Sequence, residues 1–117
     1  MKQTLGKEDR IYRELELRQV LRTGRGLADR TLRLVILPND LGRSRMAVTV
    51  SRHHGTAVKR NRIKRLCREA FRLSRQELPV GFDFILRPKI GAELQLAGLR
   101  QSLARLTRGI MQDLKRE

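Results

Sequence analysis

The stretch "VSRHHGTAVKRNRIKRLCREAFR" (Val50–Arg72) runs from a strand-like alternation into a helical pattern across Gly55. Seven of the sixteen residues from Ala57 to Arg72 are Lys or Arg, and Glu69 is the one acid among them. At about 100° per residue, Ile63, Leu66, Cys67, Ala70, Phe71 and Leu73 fall on one side of a helix predicted over Thr56–Arg75. Lys64, Arg65, Arg68, Arg72 and Arg75 fall on the other side, with Asn61 among them. One face therefore anchors the helix and the other presents a basic ridge.

A basic ridge by itself is an ordinary solvated face, so the first turn carries the argument. Free backbone N–H groups put partial positive charge at a helix N-terminus, which favours Asp and Glu there. This helix opens with Lys59, Arg60 and Arg62, each opposing the dipole by roughly 0.3–1 kcal/mol before screening. A Glu at the third helical position would complete a capping box behind Thr56, and Lys59 stands there instead. Such a turn is costly for a lone polypeptide and well suited to a phosphate, on which free N–H groups and cations converge. Arginine predominates, and its planar fork binds phosphate bidentately and stacks on bases. Asn61, between Arg60 and Arg62, offers a donor and an acceptor for a base edge or a 2′-hydroxyl, or for the local backbone.

Composition points the same way. The chain has 117 residues, 39% of them apolar, so one domain with a real core is expected. A net charge of +15 calls for a polyanionic partner, since uncompensated like charge strains a compact state. The single cysteine, Cys67, excludes an internal disulfide and suits a reducing compartment. No apolar run approaches the roughly 20 residues needed to span a bilayer, and "MKQTLGKEDR" lacks the apolar segment of a signal peptide. The expected location is the cytoplasm, away from any membrane and without an obligate protein partner.

Outward from the basic helix, "ELELRQVLR" predicts a short helix over Glu14–Thr23, stopped at Gly24. "TLRLVIL" predicts a strand ending at Pro38, and "RMAVTVS" a second in which Met46, Val48 and Val50 share a face. A brief strand is expected near Arg25–Ala28. "LPVG" breaks the basic helix, "FDFIL" predicts another strand, and Leu96, Leu99, Leu103, Leu106, Ile110 and Leu114 form the stripe of a final helix. The order α-β-β-β-α-β-α predicts an α+β fold, a two-layer α/β sandwich on a small sheet. One sheet face is bulky: Leu32, Leu34, Ile36, Met46, Val48, Val50, Phe82, Phe84 and Leu86. The other carries Arg33, Val35, Ala47, Thr49, Ser51, Asp83, Ile85 and Arg87, and only the first helix remains to cover it. A shallow groove beside that helix is a second candidate binding surface; the equal alternative is the ordinary solvated face of an antiparallel pair.

"VSRHHGTAVKRNRIKRLCREAFR" closely resembles the signature of the protein subunit of bacterial ribonuclease P, an RNR-centred basic helix after a V-S strand end and a glycine. "RELELRQVLRTGR" is similar to that family's first helix, and "LPVGFDFILRP" to its strand leading into an Arg-Pro pair; together they cover about residues 10–114. The resemblance implies a fold like the second domain of ribosomal protein S5, with a mixed sheet and a left-handed β-α-β crossover. Periodicity cannot show that handedness, and the general rule predicts the reverse. It also implies a two-part enzyme: a catalytic RNA removes the 5′ leader of precursor tRNA by Mg²⁺-assisted hydrolysis, with Mg²⁺ held mainly by RNA and substrate and no catalytic residue in the protein. Arg52, Lys59, Arg60, Asn61, Arg62, Lys64, Arg65, Arg68 and Arg72 would contact the catalytic RNA. The groove lined by Leu17, Leu21, Arg33, Val35 and Thr49 would take the single-stranded leader.

This sequence departs from the family in three places. Leu17, Leu21 and Val35 stand where aromatic residues are frequent, so base stacking of roughly 1–3 kcal/mol per base is missing there. "RHHG" has less permanent charge around His53 than the family carries. Other readings fare less well. A self-sufficient nuclease needs clustered carboxylates or an activated nucleophile, yet the twelve acids are scattered. His53 and His54, at a strand end, would point apart, and Cys67 lies on the core stripe. A membrane-surface helix would need interfacial Trp, and no DNA-binding motif is visible. A general RNA-binding or ribosome-associated protein of the same fold is the nearest alternative.

Overall fold

The computed structural model describes residues 5–116, with side chains as far as Asp113. Residues 1–4, part of the segment read as lacking a signal sequence, and the side chain of Leu114, assigned to the last apolar stripe, lie outside the described residues. The elements are α1 (Glu14–Thr23), β1 (Arg25–Ala28), β2 (Leu32–Pro38), β3 (Arg45–Val48), α2 (Ala57–Ser74), β4 (Phe82–Pro88) and α3 (Leu96–Arg116). Single 3₁₀ turns occupy Lys7–Asp9, Arg52–His54 and Arg75–Glu77.

The strands form one mixed sheet in the order β1-β2-β4-β3. β2 pairs antiparallel with β1 and β4, and β3 runs parallel to β4. In register, Leu34 faces Leu86, and Ile36 and Met46 flank Phe84. These residues form the major core with Cys67, Ala70 and Phe71 of α2 and Leu99, Leu103 and Ile110 of α3. The Phe71 and Phe84 rings meet with centroids 5.4 Å apart. The opposite face carries a smaller core in which Val35 and Ile85 pack beneath Val20 and Ile11, flanked by Leu17, Leu21, Leu37 and Ala47. Gly24 lets the chain leave α1 at close quarters: a Cβ there would stand 2.7 Å from Val35 Cγ1 and 2.8 Å from the Ile36 carbonyl.

Strands β3 and β4 are parallel neighbours joined through α2, which makes a β-α-β unit. Thr49 shares a sheet face with Ala47 and donates its backbone N–H to the Leu86 carbonyl at 3.0 Å. For L-residues this fixes the side of β3 on which β4 lies. With α2 on the Leu34–Phe84 face, the crossover is left-handed, against the usual preference.

Several expectations change. β3 ends at Val48, before Val50, and Val50 is only half-buried. His53 and His54 sit in a 3₁₀ turn rather than a strand end. Leu73 is half-buried, and Ser74 is buried in its place, its Oγ accepting from Arg100 Nε at 3.2 Å. Arg75 leaves the solvent ridge to pair with Asp9 at 3.6 Å. The polar face is closed at one end by a buried ion pair: Asp83 accepts from Arg45 Nε and Nη2 at 2.9 and 2.8 Å and from Asn39 Nδ2 at 2.9 Å. Arg45 also reaches Glu16 at 3.0 Å, which ties α1 to the sheet. The hydrogen bond it donates to Asp83 raises the pKa of the Arg45 guanidinium against the opposing effect of burial.

The side chains of Arg45 and Asp83 are 15% and 5% exposed, so Asp83→Ala leaves the half-buried guanidinium with Glu16 as its one remaining carboxylate and should cost about 2–3 kcal/mol in urea unfolding. Burial pushes the Cys67 thiol up to about 12. The thiolate is the reactive species, so native protein should resist a maleimide that labels the urea-unfolded chain readily; rapid native labelling would contradict the packing of α2.

Candidate nucleic-acid interface

The route into α2 is built locally. Ser51 Oγ accepts the His53 amide at 3.2 Å, which starts the 3₁₀ turn. His54 Nδ1 accepts the Ser51 amide at 3.1 Å, which leaves Nε2–H to donate to the Pro88 carbonyl at 2.7 Å. His54 is therefore a strut between the turn and the end of β4. Gly55 follows at φ 126, a conformation that disfavours L side chains, and a Cβ there would stand 2.7 Å from Lys59 Cδ. Thr56 then caps α2, its Oγ1 accepting the Lys59 amide at 3.2 Å.

No acidic residue lies in the first turn of α2. Among the described residues, Lys59, Arg60, Arg62, Lys64, Arg65 and Arg68 make no ion pair. Arg52, Lys59, Asn61, Arg62 and Arg65 are exposed; Arg60, Lys64, Arg68 and Arg72 are half-buried. Asn61 is shared by two shallow hollows, one with Arg60 and Lys64 and one with Val58, Arg62 and Arg65. Arg72 differs from the others, because Glu69 accepts hydrogen bonds from its Nε at 3.1 Å and from Nη2. That hydrogen bond lowers the pKa of Glu69. The basic ridge is thus nearly free of internal neutralisation along its N-terminal two-thirds.

The second surface divides in two. Leu17, Leu21 and Val35 come together, but in the small core under α1, where Val35 is only 9% exposed. That part of the sheet face is covered rather than open. Arg33 and Thr49 line a separate cleft of about 460 Å³ beyond α1, with Ser51, His54, Arg87 and Lys89. Arg33 stands directly opposite Arg87 in the β2–β4 register. Like charges directly opposed across a ladder are unfavourable, and no ion pair relieves either one among the described residues. Alternation alone put Arg33 and Arg87 on one face, but their juxtaposition needed the register. His54 and Lys89 carried no sequence signal toward this cleft.

Comparison with known proteins agrees with this geometry. The profile of the family described as Ribonuclease P matches residues 5–111. The "Ribonuclease P protein component" of Pelotomaculum thermopropionicum is 42% identical over 77 residues, covering 66% of this chain and 69% of that protein. The protein of the same description from Natranaerobius thermophilus is 34% identical over 99 residues, 84% of this chain and 86% of the relative. The solved RNase P protein of Thermotoga maritima superposes with a TM-score of 0.77 at 25% identity, covering 86% of this chain and 96% of that one. The RNase P protein of Staphylococcus aureus shares the fold, with a TM-score of 0.75 at 24% identity over 87% of this chain and 94% of that one. A basic helix whose N-terminal cations lack ion-pair partners among the described residues is thus seated in a fold shared with these proteins, and the chain belongs to the ribonuclease P protein family.

Proposed function

We propose that this chain is the protein half of a ribonucleoprotein that removes the 5′ leader from precursor tRNA, with the hydrolysis carried by the RNA half. The observation that carries the reading is the first turn of α2, where cations and free backbone N–H groups coincide with no acid to neutralise them. The catalytic RNA binds along Arg52, Lys59, Arg60, Asn61, Arg62, Lys64, Arg65 and Arg68, with Arg72 contributing beside Glu69. The leader passes the cleft of Arg33, Thr49 and Arg87, and Leu17, Leu21 and Val35 form the packed wall that supports it.

Mg²⁺ belongs to the RNA and substrate in this reading. Several carboxylates are already engaged by cations: Asp83 and Glu16 are held by Arg45, and Glu69 by Arg72. Asp29 caps the Thr31 and Leu32 amides and pairs with Arg105. Among the described residues no three His, Cys, Asp or Glu side chains form a candidate metal cluster. No described helix is long and apolar enough to cross a membrane.

Reconstitution is the deciding experiment. Protein, family catalytic RNA and precursor tRNA at low Mg²⁺ should give faster cleavage at the mature 5′ end than RNA alone. RNA binding without stimulation would favour a general RNA-binding protein, and cleavage without the RNA a self-sufficient nuclease. Replacing Arg60 and Arg62 by Ala should weaken binding to the catalytic RNA and lower the slope of log K against log salt by roughly 1–2; unchanged affinity and slope in filter binding would remove α2 from the interface. Arg33→Ala with Arg87→Ala should reduce holoenzyme affinity for precursor tRNA while sparing mature tRNA. Equal losses for both substrates would move the leader elsewhere.

A further inference from the structure

Tyr12 is the only tyrosine, and the chain has no tryptophan. Phe71 and Phe84 are fully buried in the major core and Phe82 packs against it. Tyr12, by contrast, is 63% exposed. Its backbone is nevertheless held firmly. Arg10 forms a parallel bridge with Met46, Ile11 donates its N–H to the Met46 carbonyl at 3.0 Å, and the Ile11 side chain is buried in the small core. On the other side the chain enters α1 at Glu14. A ring carried on a fixed backbone loses little freedom when something stacks on it.

The surroundings of the ring are basic. Tyr12 lines a cleft of about 260 Å³ with Lys7, Arg10, Arg13 and Arg43; Glu8, Glu16 and Arg45 complete it. Glu16 is engaged by Arg45, and Arg43 Nε donates to the Glu8 carbonyl at 3.2 Å. The Glu8 carboxylate is thus the one acid there not engaged by a buried arginine. Arg10 also lines a neighbouring cleft of about 360 Å³ against Arg65 and Arg68, where the acid, Glu69, is taken up by Arg72. Arg10 makes no ion pair among the described residues, and its buried Nε has no hydrogen-bond partner. Because the two clefts share Arg10, a positive path runs from the outer face of α2, around the edge of β3, to the tyrosine ring.

A polynucleotide fits this path better than an acidic peptide, because a peptide would satisfy the cations and leave the ring unused. Spaced phosphates match the arginines, and a base matches the aromatic face. The bridge at Arg10 occupies part of the β3 edge, so strand addition is not the matching mode.

We propose that Tyr12, flanked by Arg10, Arg13 and Arg43, is a stacking platform for one nucleotide of a single-stranded RNA segment that reaches it across Arg65 and Arg68. The proposal rests on the reading of α2 as an RNA-binding helix. The platform shares no residue with the Arg33–Arg87 cleft.

The sole tyrosine is its own reporter. Intact protein is titrated with a short single-stranded oligoribonucleotide while the Tyr12 emission lifetime is followed and binding is measured separately by filter retention. Binding should shorten the lifetime. Tyr12→Ala should weaken oligonucleotide binding roughly 5- to 100-fold, and Tyr12→Phe should retain it. Tyr12 is exposed, so folding should be unaffected, which circular dichroism checks. An unmoved lifetime with normal retention overturns the platform while leaving the α2 reading intact. Loss of retention in both Tyr12→Ala and Tyr12→Phe also overturns stacking. Failure of the wild-type protein to retain either the oligonucleotide or the family's catalytic RNA overturns both readings. Equal lifetime shortening by a poly-glutamate peptide overturns the assignment to RNA.

Discussion

Strand β4 carries two cores at once, and the rest of the molecule is arranged around that constraint. Phe84 and Leu86 face α2 and α3, while Asp83 and Ile85 face α1; all four are buried. Side chains alternate across a sheet, so a one-residue slip of β4 would drive Asp83 into the major core and force Phe84 into the small core under α1. The register is therefore pinned from both faces. Its Arg45–Asp83 pair adds a polar lock at the end of the sheet where β3 begins. Pairing β4 with β3 in parallel requires a crossover, and α2 is that crossover. The basic helix thus cannot shift without disturbing the central strand.

This coupling explains how so much positive charge is tolerated. α2 commits Cys67, Ala70, Phe71 and Ser74 to the interior, and that burial offsets repulsion along the opposite face. Toward its C-terminal end the charge is partly neutralised, by Glu69 at Arg72 and by Asp9 at Arg75. Toward its N-terminus it is not. The gradient along one helix separates a neutralised end from an unneutralised one, and the helix dipole makes the latter the better seat for a phosphate.

The α1 side of the sheet shows a different compromise. Leu17, Leu21 and Val35 fill a small core rather than an open trough, so apolar packing ends where Arg33 and Arg87 begin. The aliphatic residues give a smooth wall with no ring for a base. Exposed aromatic surface is found instead at Tyr12, on the far side of α1's entry. The cleft beyond α1 is accordingly lined by cations and carries no Phe, Tyr or Trp ring.

Much of this was legible from residue order. The alternation of Leu32, Leu34 and Ile36, the stripe of Leu99, Leu103 and Ile110, and the two-sided wheel of α2 are local consequences of side-chain periodicity, and the structure keeps them. So is the opposed helix dipole, since it depends only on which residues follow Thr56. Contacts between segments distant in sequence were not legible. Arg33 meets Arg87, His54 braces Pro88, Arg45 locks Asp83 and Arg10 joins two clefts only once strands are paired and faces chosen. Periodicity says which way a side chain points from its own strand but not which strand lies beside it. The covered state of Val35, the handedness of the crossover and the shape of the surface clefts were therefore decided by tertiary pairing alone.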